Sequence, residues 1–219
     1  ENIKSKSKAI MVTCDVTKCN EVEGLWNDAK IAFGTVDIWI NNAGVNQPNL
    51  PVYEMSDKEI DFLLNVDLRG TIYGSKTAFK GMRLQGHGQI FNIDGFEVIN
   101  ANKSGQTIYG TAKQAVTYFT ESIAKESEEV AGGRVHVSML SPGIMITDFI
   151  TNANGGKSKI ELSEETKRMY NVLGDYPSTI AENVVPKIIK NEKNNAKIVW
   201  LTNLRIFGKF IKACFVKRN

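Results

Sequence analysis

The sequence predicts an α/β fold, a doubly wound parallel sheet with helices on both faces. Two observations carry this. Short β-branched apolar runs alternate along the chain with longer helical patterns, the signature of βαβ units. The runs are also near-continuously apolar rather than alternating, as in strands buried on both faces. The 219 residues suit one domain, and an apolar content of 42% is enough for one large core.

The elements follow in order. Residues 9–13 read as a strand and 20–33 as a helix that ends near Gly34. Residues 36–40 form a near-continuous apolar strand. Ser56-Asp57-Lys58-Glu59 is a capping box, with Ser56 as N-cap and Glu59 three residues on. Its helix runs to about residue 85 and bends near Gly70. Residues 89–93 are the next strand, and 107–130 a long helix that ends before Gly132-Gly133. Residues 135–140 are a strand stopped by Pro142-Gly143. A loop spans 148–177, its least ordered part at 151–159. Pro177-Ser178 opens a helix through about residue 190; 197–201 is the last strand and 204–215 the last helix.

Composition excludes several function classes. There are 27 lysines and arginines, 24 acids and a net charge of +3. Residues 196–219 hold six of the bases and no acid, leaving 21 bases against 24 acids in the body. The basic bias belongs to the C-terminus and is not a nucleic-acid footprint. Only His87 and His136 are present, too few for a His-based zinc site or a Ser-His-Asp triad. Cys14, Cys19 and Cys214 lack metal-ligand spacing and read as reduced thiols. No metal is expected. No apolar run is long enough to span a bilayer and the opening residues show no secretory pattern, so a cytoplasmic location is expected.

The chemistry concentrates at one pair. Tyr109 and Lys113 stand four apart at the start of the long helix, on one face and one turn from each other. An ammonium beside a phenol favours the phenolate and lowers its pKa from about 10. Such a phenol can give a proton to an alkoxide or take one from an alcohol. Asn41-Asn42-Ala43-Gly44 ends the second strand, where small residues let backbone approach a ligand. Asn65 sits in an apolar helical stretch, where an amide is unfavourable and tends to bend the helix. Asp15-Val16 ends the first strand, and Ser141-Pro142-Gly143, with Thr147 and Asp148 beyond, ends the strand at 135–140.

Together these motifs resemble the short-chain dehydrogenase/reductase family over nearly the whole chain. Ile90-Phe91-Asn92-Ile93-Asp94-Gly95, the Tyr-Gly-Thr-Ala-Lys run, Met169-Tyr170-Asn171-Val172-Leu173 and Trp200-Leu201-Thr202 are similar to the chlorophyll(ide) b reductase branch and its bacterial relatives. The resemblance implies a Rossmann-type fold and hydride transfer between NAD or NADP and a carbonyl or alcohol substrate, including an aldehyde on a bulky ring. Tyr109 is then the acid/base, Lys113 tunes it and holds the cofactor ribose, and Asn65 orders a proton relay. Asp15 and Val16 would contact adenine. Asn42, Ala43 and Gly44 would line the cofactor, and Pro142, Gly143, Met145 and Thr147 its nicotinamide end. Phe149, Ile150, Met169 and Tyr170 are candidates to line the substrate pocket.

Two departures from the family stand out. Its catalytic serine falls at Gly95, beside Asp94. Asp94 is either a protonated donor to the carbonyl or a turn residue facing backbone amides, and Ser104 and Thr107 are other donors. The family also opens with a strand, a glycine-rich turn and a second strand, which places the start of this chain roughly 40 to 50 residues into the pattern. The N-terminal β-α-β segment is therefore expected to be missing, leaving residues 9–13 without a strand neighbour. Leu204, Phe207, Ile211 and Phe215 share a helix face with Arg205, Lys209 and Lys212 around it. That face suits docking on the body or a partner subunit in a homo-oligomer, or an anionic membrane surface. A non-catalytic nucleotide-binding or scaffold protein is the alternative to an enzyme.

Overall fold

A computed structural model describes residues 7–95 and 105–215. Ser104 lies outside the described residues, as does the Phe215 side chain. Helix α1 (Cys19–Phe33) leads to β1 (Ile38–Asn41). Helix α2 (Asp57–Leu63) passes without a break through a π-helical turn (Leu64–Gly70) into α3 (Thr71–Gln85). Then come β2 (Gly88–Ile93), α4 (Thr107–Ala131) and β3 (Val135–Ser141). A small hairpin of β4 (Asn152–Ala153) and β5 (Ser158–Lys159) precedes α5 (Glu164–Leu173), α6 (Pro177–Ile189), β6 (Lys197–Val199) and α7 (Asn203–Phe215).

Strands β1, β2, β3 and β6 form one parallel sheet in that order. Its side chains alternate between two cores, as period-two geometry requires. Ile90, Val135 and Val137 face Trp26 of α1, Ala78 and Met82 of α3, and Ile123 and Ala124 of α4. Phe91 and Leu140 face Leu173 of α5 and Ile180, Val184 and Ile188 of α6 on the other side. Both faces of the central strands are thus covered and shed water.

The local signals act as the sequence suggests at most ends. Ser56 and Glu59 form both halves of the capping box. Gly34 ends α1 at φ 81°, returning its N–H to Lys30. The bend expected near Gly70 is a seven-residue π-helical turn, closed by the Thr71 hydroxyl on the Asp67 carbonyl at 2.7 Å. Wide turns of this kind recur at functional sites.

Four expectations need correction. Residues 9–13 form no strand, and Met11 is 98% exposed. A strand exists by pairing, and no described strand stands between this segment and β1. The run at 36–40 gives a strand only from Ile38, and Ile40 stays 43% exposed, so β1 is not covered on both faces. The loop at 148–177 contains α5, with the Ser163 hydroxyl accepting from the Thr166 N–H. Its stretch at 151–159 is the β4–β5 hairpin, whose turn uses Asn154, Gly155 and Gly156 at φ 51°, 65° and 89°. Asn154 also donates to the Glu59 carboxylate at 2.8 Å, tying the hairpin to the capping box of α2.

Helix α7 docks by one edge. Ile206 packs on the core, Lys209 reaches Asp175 at 2.7 Å, and Arg205 stacks 3.5 Å from the Trp200 ring centre. Leu204, Phe207 and Ile211 remain exposed. Among the described residues no helix is long and apolar enough to cross a membrane.

Candidate active site

In a parallel sheet the strands all end on the same side, and ligands of open α/β sheets bind there. Here the chain leaves β1 through Asn42-Ala43-Gly44, β2 through Asp94-Gly95 and β3 through Pro142-Gly143. These turns and the first turns of α4 wall a cleft of about 1220 Å³. Tyr109, Lys113, Asp94, Asn42, Ala43, Gly44, Pro142, Gly143, Met145 and Thr147 all line it.

The start of α4 is fixed by a residue with no sequence signal. Gln47 is 0% exposed; its carbonyl oxygen accepts from the Tyr109 N–H at 2.8 Å, and its amide donates to the Gly105 carbonyl at 2.6 Å. An orphan N–H of the first helical turn is thereby satisfied, and Tyr109 is set in place. One turn on, Lys113 Nζ lies 5.6 Å from the Tyr109 ring centre. It donates to the Ile93 carbonyl at 3.3 Å and lies 3.4 Å from Asp67 Oδ2.

Asp67 comes from the π-helical turn and its side chain is 0% exposed. Its Oδ1 accepts from the Val45 N–H at 2.8 Å, and a side chain built on Gly44 would meet Oδ2 at 3.4 Å. Burial pushes the Asp67 carboxyl up, opposed by Lys113 and the Val45 N–H. A charged residue among Leu64, Val66 and Leu68 was the visible signal of a buried role.

The pairing of Tyr109 with Lys113 predicts a lowered phenol pKa, and the structure reverses the direction. Burial raises it, and Asp67, Asp94 and Tyr170 raise it further. The Lys113 charge is met by Asp67 rather than left to act on the phenol.

Asp94 is buried, and its Oδ1 accepts from the Gly95 N–H at 2.7 Å and the Thr117 hydroxyl at 3.2 Å. These are the contacts of an acceptor closing the strand-end turn. At Gly95 a side chain would meet the Lys113 stem at 3.2 Å, so a serine there requires the lysine to shift. Thr107 lines the cleft. So do Phe149, Ile150, Met169 and Tyr170, with the Phe149 ring 6.0 Å from that of Tyr109.

Three of the sequence candidates do not line the cleft. The Asn65 oxygen accepts from Arg69 at 2.8 Å, and Arg69 also reaches the Tyr73 hydroxyl at 2.6 Å. The π-helical turn places Asp67, not Asn65, against Lys113. Asp15 accepts from both the hydroxyl and the N–H of Thr17, at 2.7 and 3.0 Å, which hold its carboxyl below the usual range. Val16 packs where a side chain on Gly70 would lie, 2.8 Å from its Cγ2.

The chain as a whole is similar to known proteins. Over 214 residues the chain is 31% identical to a probable chlorophyll(ide) b reductase, NYC1, of Oryza sativa subsp. japonica, covering 97% of this chain and 40% of that protein. It is 33% identical over 178 residues to carbonyl reductase family member 4 of Xenopus laevis, covering 80% of this chain and 70% of the relative. A solved alcohol dehydrogenase from the archaeon Thermococcus sibiricus, complexed with 5-hydroxy-NADP, superposes with a TM-score of 0.67 at 21% identity. The match covers 85% of this chain and 72% of that one. Residues 1–158 match the family model described as short chain dehydrogenase, and the chain belongs to the short-chain dehydrogenase family.

Proposed function

We propose that the protein is an NAD- or NADP-dependent oxidoreductase that moves hydride between nicotinamide and a carbonyl or alcohol substrate. One observation carries the reading: Tyr109 and Lys113 share a cleft wall with the strand-end turn Asn42-Ala43-Gly44. The 5-hydroxy-NADP complexed with the archaeal dehydrogenase supports the choice of cofactor class. The residues present fit the nicotinamide end of such a cofactor. Gly44 and Gly143 bring backbone to the cleft wall, with Asp67 and Leu201 standing where their side chains would lie; Asn42 offers an amide, and Lys113 offers N–H donors to ribose hydroxyls. When bound, the cofactor supplies or accepts the hydride.

The chain handles the proton. With its pKa raised, the Tyr109 phenol stays protonated through neutral pH, which suits donation to a carbonyl oxygen as it becomes an alkoxide. Asp94 holds the turn, and Thr107 is the hydroxyl donor for the carbonyl. Phe149, Ile150, Met169 and Tyr170 make one side of the cleft apolar and aromatic. That wall fits an aldehyde on a bulky ring system, and the rice relative is named a probable chlorophyll(ide) b reductase.

The test is turnover of NADH and NADPH with bulky aromatic aldehydes by wild type and Tyr109→Phe. Loss of the general acid should lower turnover by roughly 10²- to 10⁴-fold while cofactor binding persists. Equal rates in the two proteins would end the assignment. The glycine at position 95 favours one other reading, a non-catalytic nucleotide-binding protein; cofactor binding with no turnover in wild type would select it.

A further inference from the structure

We propose that Asp175 is a positioning residue, a clamp that ties the cleft wall at residues 144–146 to helix α7 and so fixes the substrate side of the cleft.

Asp175 does not line the cleft, but its backbone is bonded to a segment that does. It forms a parallel bridge with Met145. Its N–H donates to the Ile144 carbonyl at 3.0 Å, and its carbonyl accepts from the Ile146 N–H at 3.0 Å. Ile144 and Met145 line the cleft directly after the Pro142-Gly143 turn. On the other side of Asp175, Gly174 ends α5. A side chain there would meet the Tyr170 carbonyl at 2.5 Å and Ile146 Cγ1 at 3.0 Å. The end of α5, with Tyr170 on the cleft, therefore lies close against the same segment.

The Asp175 side chain reaches two further elements. Its Oδ1 takes the Lys209 ammonium of α7 at 2.7 Å, and its Oδ2 accepts from the Trp200 indole N–H at 2.8 Å, just past the end of β6. Lys209 also donates to the Gly174 carbonyl at 3.4 Å. Arg205, one turn earlier on α7, stacks on the Trp200 ring. One residue thus joins α7, the end of β6, the end of α5 and the cleft wall. An ion pair with both side chains 15% exposed adds little net stability, because desolvation offsets attraction. What the pair fixes is geometry. Without the lysine, a mostly buried carboxylate loses its cation and is relieved by moving toward water. The backbone of residues 174 and 175 then carries the wall with it.

The consequence for substrate rests on the reductase reading; the first measurement does not. Full-chain wild type, Lys209→Leu and Lys209→Arg, with ¹³C at the methionine methyls, are compared by NMR without cofactor or substrate. In Lys209→Leu the Met145 and Met169 signals should shift and broaden as the wall samples open positions. Met82, in the core on the opposite face of the sheet, should stay in place. Lys209→Arg, which keeps the cation, should give the wild-type spectrum. In turnover, KM for naphthaldehyde should rise by about three- to ten-fold in Lys209→Leu, with kcat within about two-fold of wild type. KM for propanal, too small to touch the whole wall, should not move. Met145 and Met169 signals unmoved in Lys209→Leu would overturn the proposal, as would equal disturbance of Met82, the mark of general loosening. Where wild type turns over naphthaldehyde, an unchanged KM in the variant would overturn it too. Should Lys209→Leu not fold, Asp175→Asn, which keeps an acceptor for Trp200 and loses the charge, is read in its place. Absence of turnover in wild type would count against the reductase and leave the methyl spectra to decide the clamp.

Discussion

Two buried polar clusters lie at the ends of the same strands and behave in opposite ways. Asn41 and Asn92, paired in register across β1 and β2, join Trp39, Ser75 of α3 and Thr120 of α4 through hydrogen bonds of 2.7 to 3.0 Å. The members are neutral, and each is answered by another. Two residues beyond Asn92, just past the end of β2, Asp94 accepts from the hydroxyl of Thr117, one helical turn before Thr120. There the neighbours are Lys113, Asp67 and Tyr109, and burial shifts the proton affinities of Asp67 and Tyr109. Amides placed deep in the sheet fix the strand ends, and one step nearer the cleft the groups are ionisable, with burial raising the pKa of Asp67 and Tyr109. Helix α4 contributes to both, Thr120 to the neutral cluster and Tyr109 with Lys113 to the ionisable one.

The contrast can be broken from either side. The largest effect is expected from Tyr109→Phe, a loss of roughly 10²- to 10⁴-fold in turnover with an unchanged melting temperature. Asn92→Leu should do the reverse. It leaves the Asn41 amide and the Ser75 and Thr120 hydroxyls short of a partner, at a cost of about 3 kcal/mol in denaturant unfolding, while the Tyr109 titration stays put. Gln47→Ala acts on the ionisable cluster through the backbone, since it frees the N–H of Tyr109. About 1 to 2 kcal/mol of stability should go, with a smaller fall in kcat. The smallest effect is expected from Asp94→Ala, about 1 kcal/mol of stability and a normal single-turnover rate. A large loss in the chemical step would instead make Asp94 the carbonyl donor. The pH profile sharpens the division further. With a raised phenol pKa, carbonyl reduction should hold level through neutral pH and decline only above the ordinary tyrosine range.

Features written in adjacent residues were legible beforehand. The alternation of strands and helices, the Ser56–Glu59 box and the four-residue step from Tyr109 to Lys113 need only local geometry. What was not legible depends on register or on distant partners. Asn65 looked like the buried polar group of its helix, but a π-helical turn changes which side chain faces the site, and no residue type announces one. Gln47 is separated by 62 residues from the N–H it caps. The direction of the Tyr109 shift also inverted, because sequence displays the lysine and hides both the burial of the phenol and the carboxylates beside it. Residues 9–13 carry a strand composition, but composition cannot supply a neighbour.

The outer edge of β1 has a kinetic consequence. Strand β3 is bonded to β2 on one side and β6 on the other, whereas β1 bonds to β2 alone among the described strands. Backbone amides held on one side only are released by local fraying, without global opening. In deuterated water, Ile38 to Asn41 should therefore exchange well before Val137 to Leu140. Any extended segment that adds to that edge would announce itself as slowed exchange there, the mark of strand addition to an exposed sheet edge.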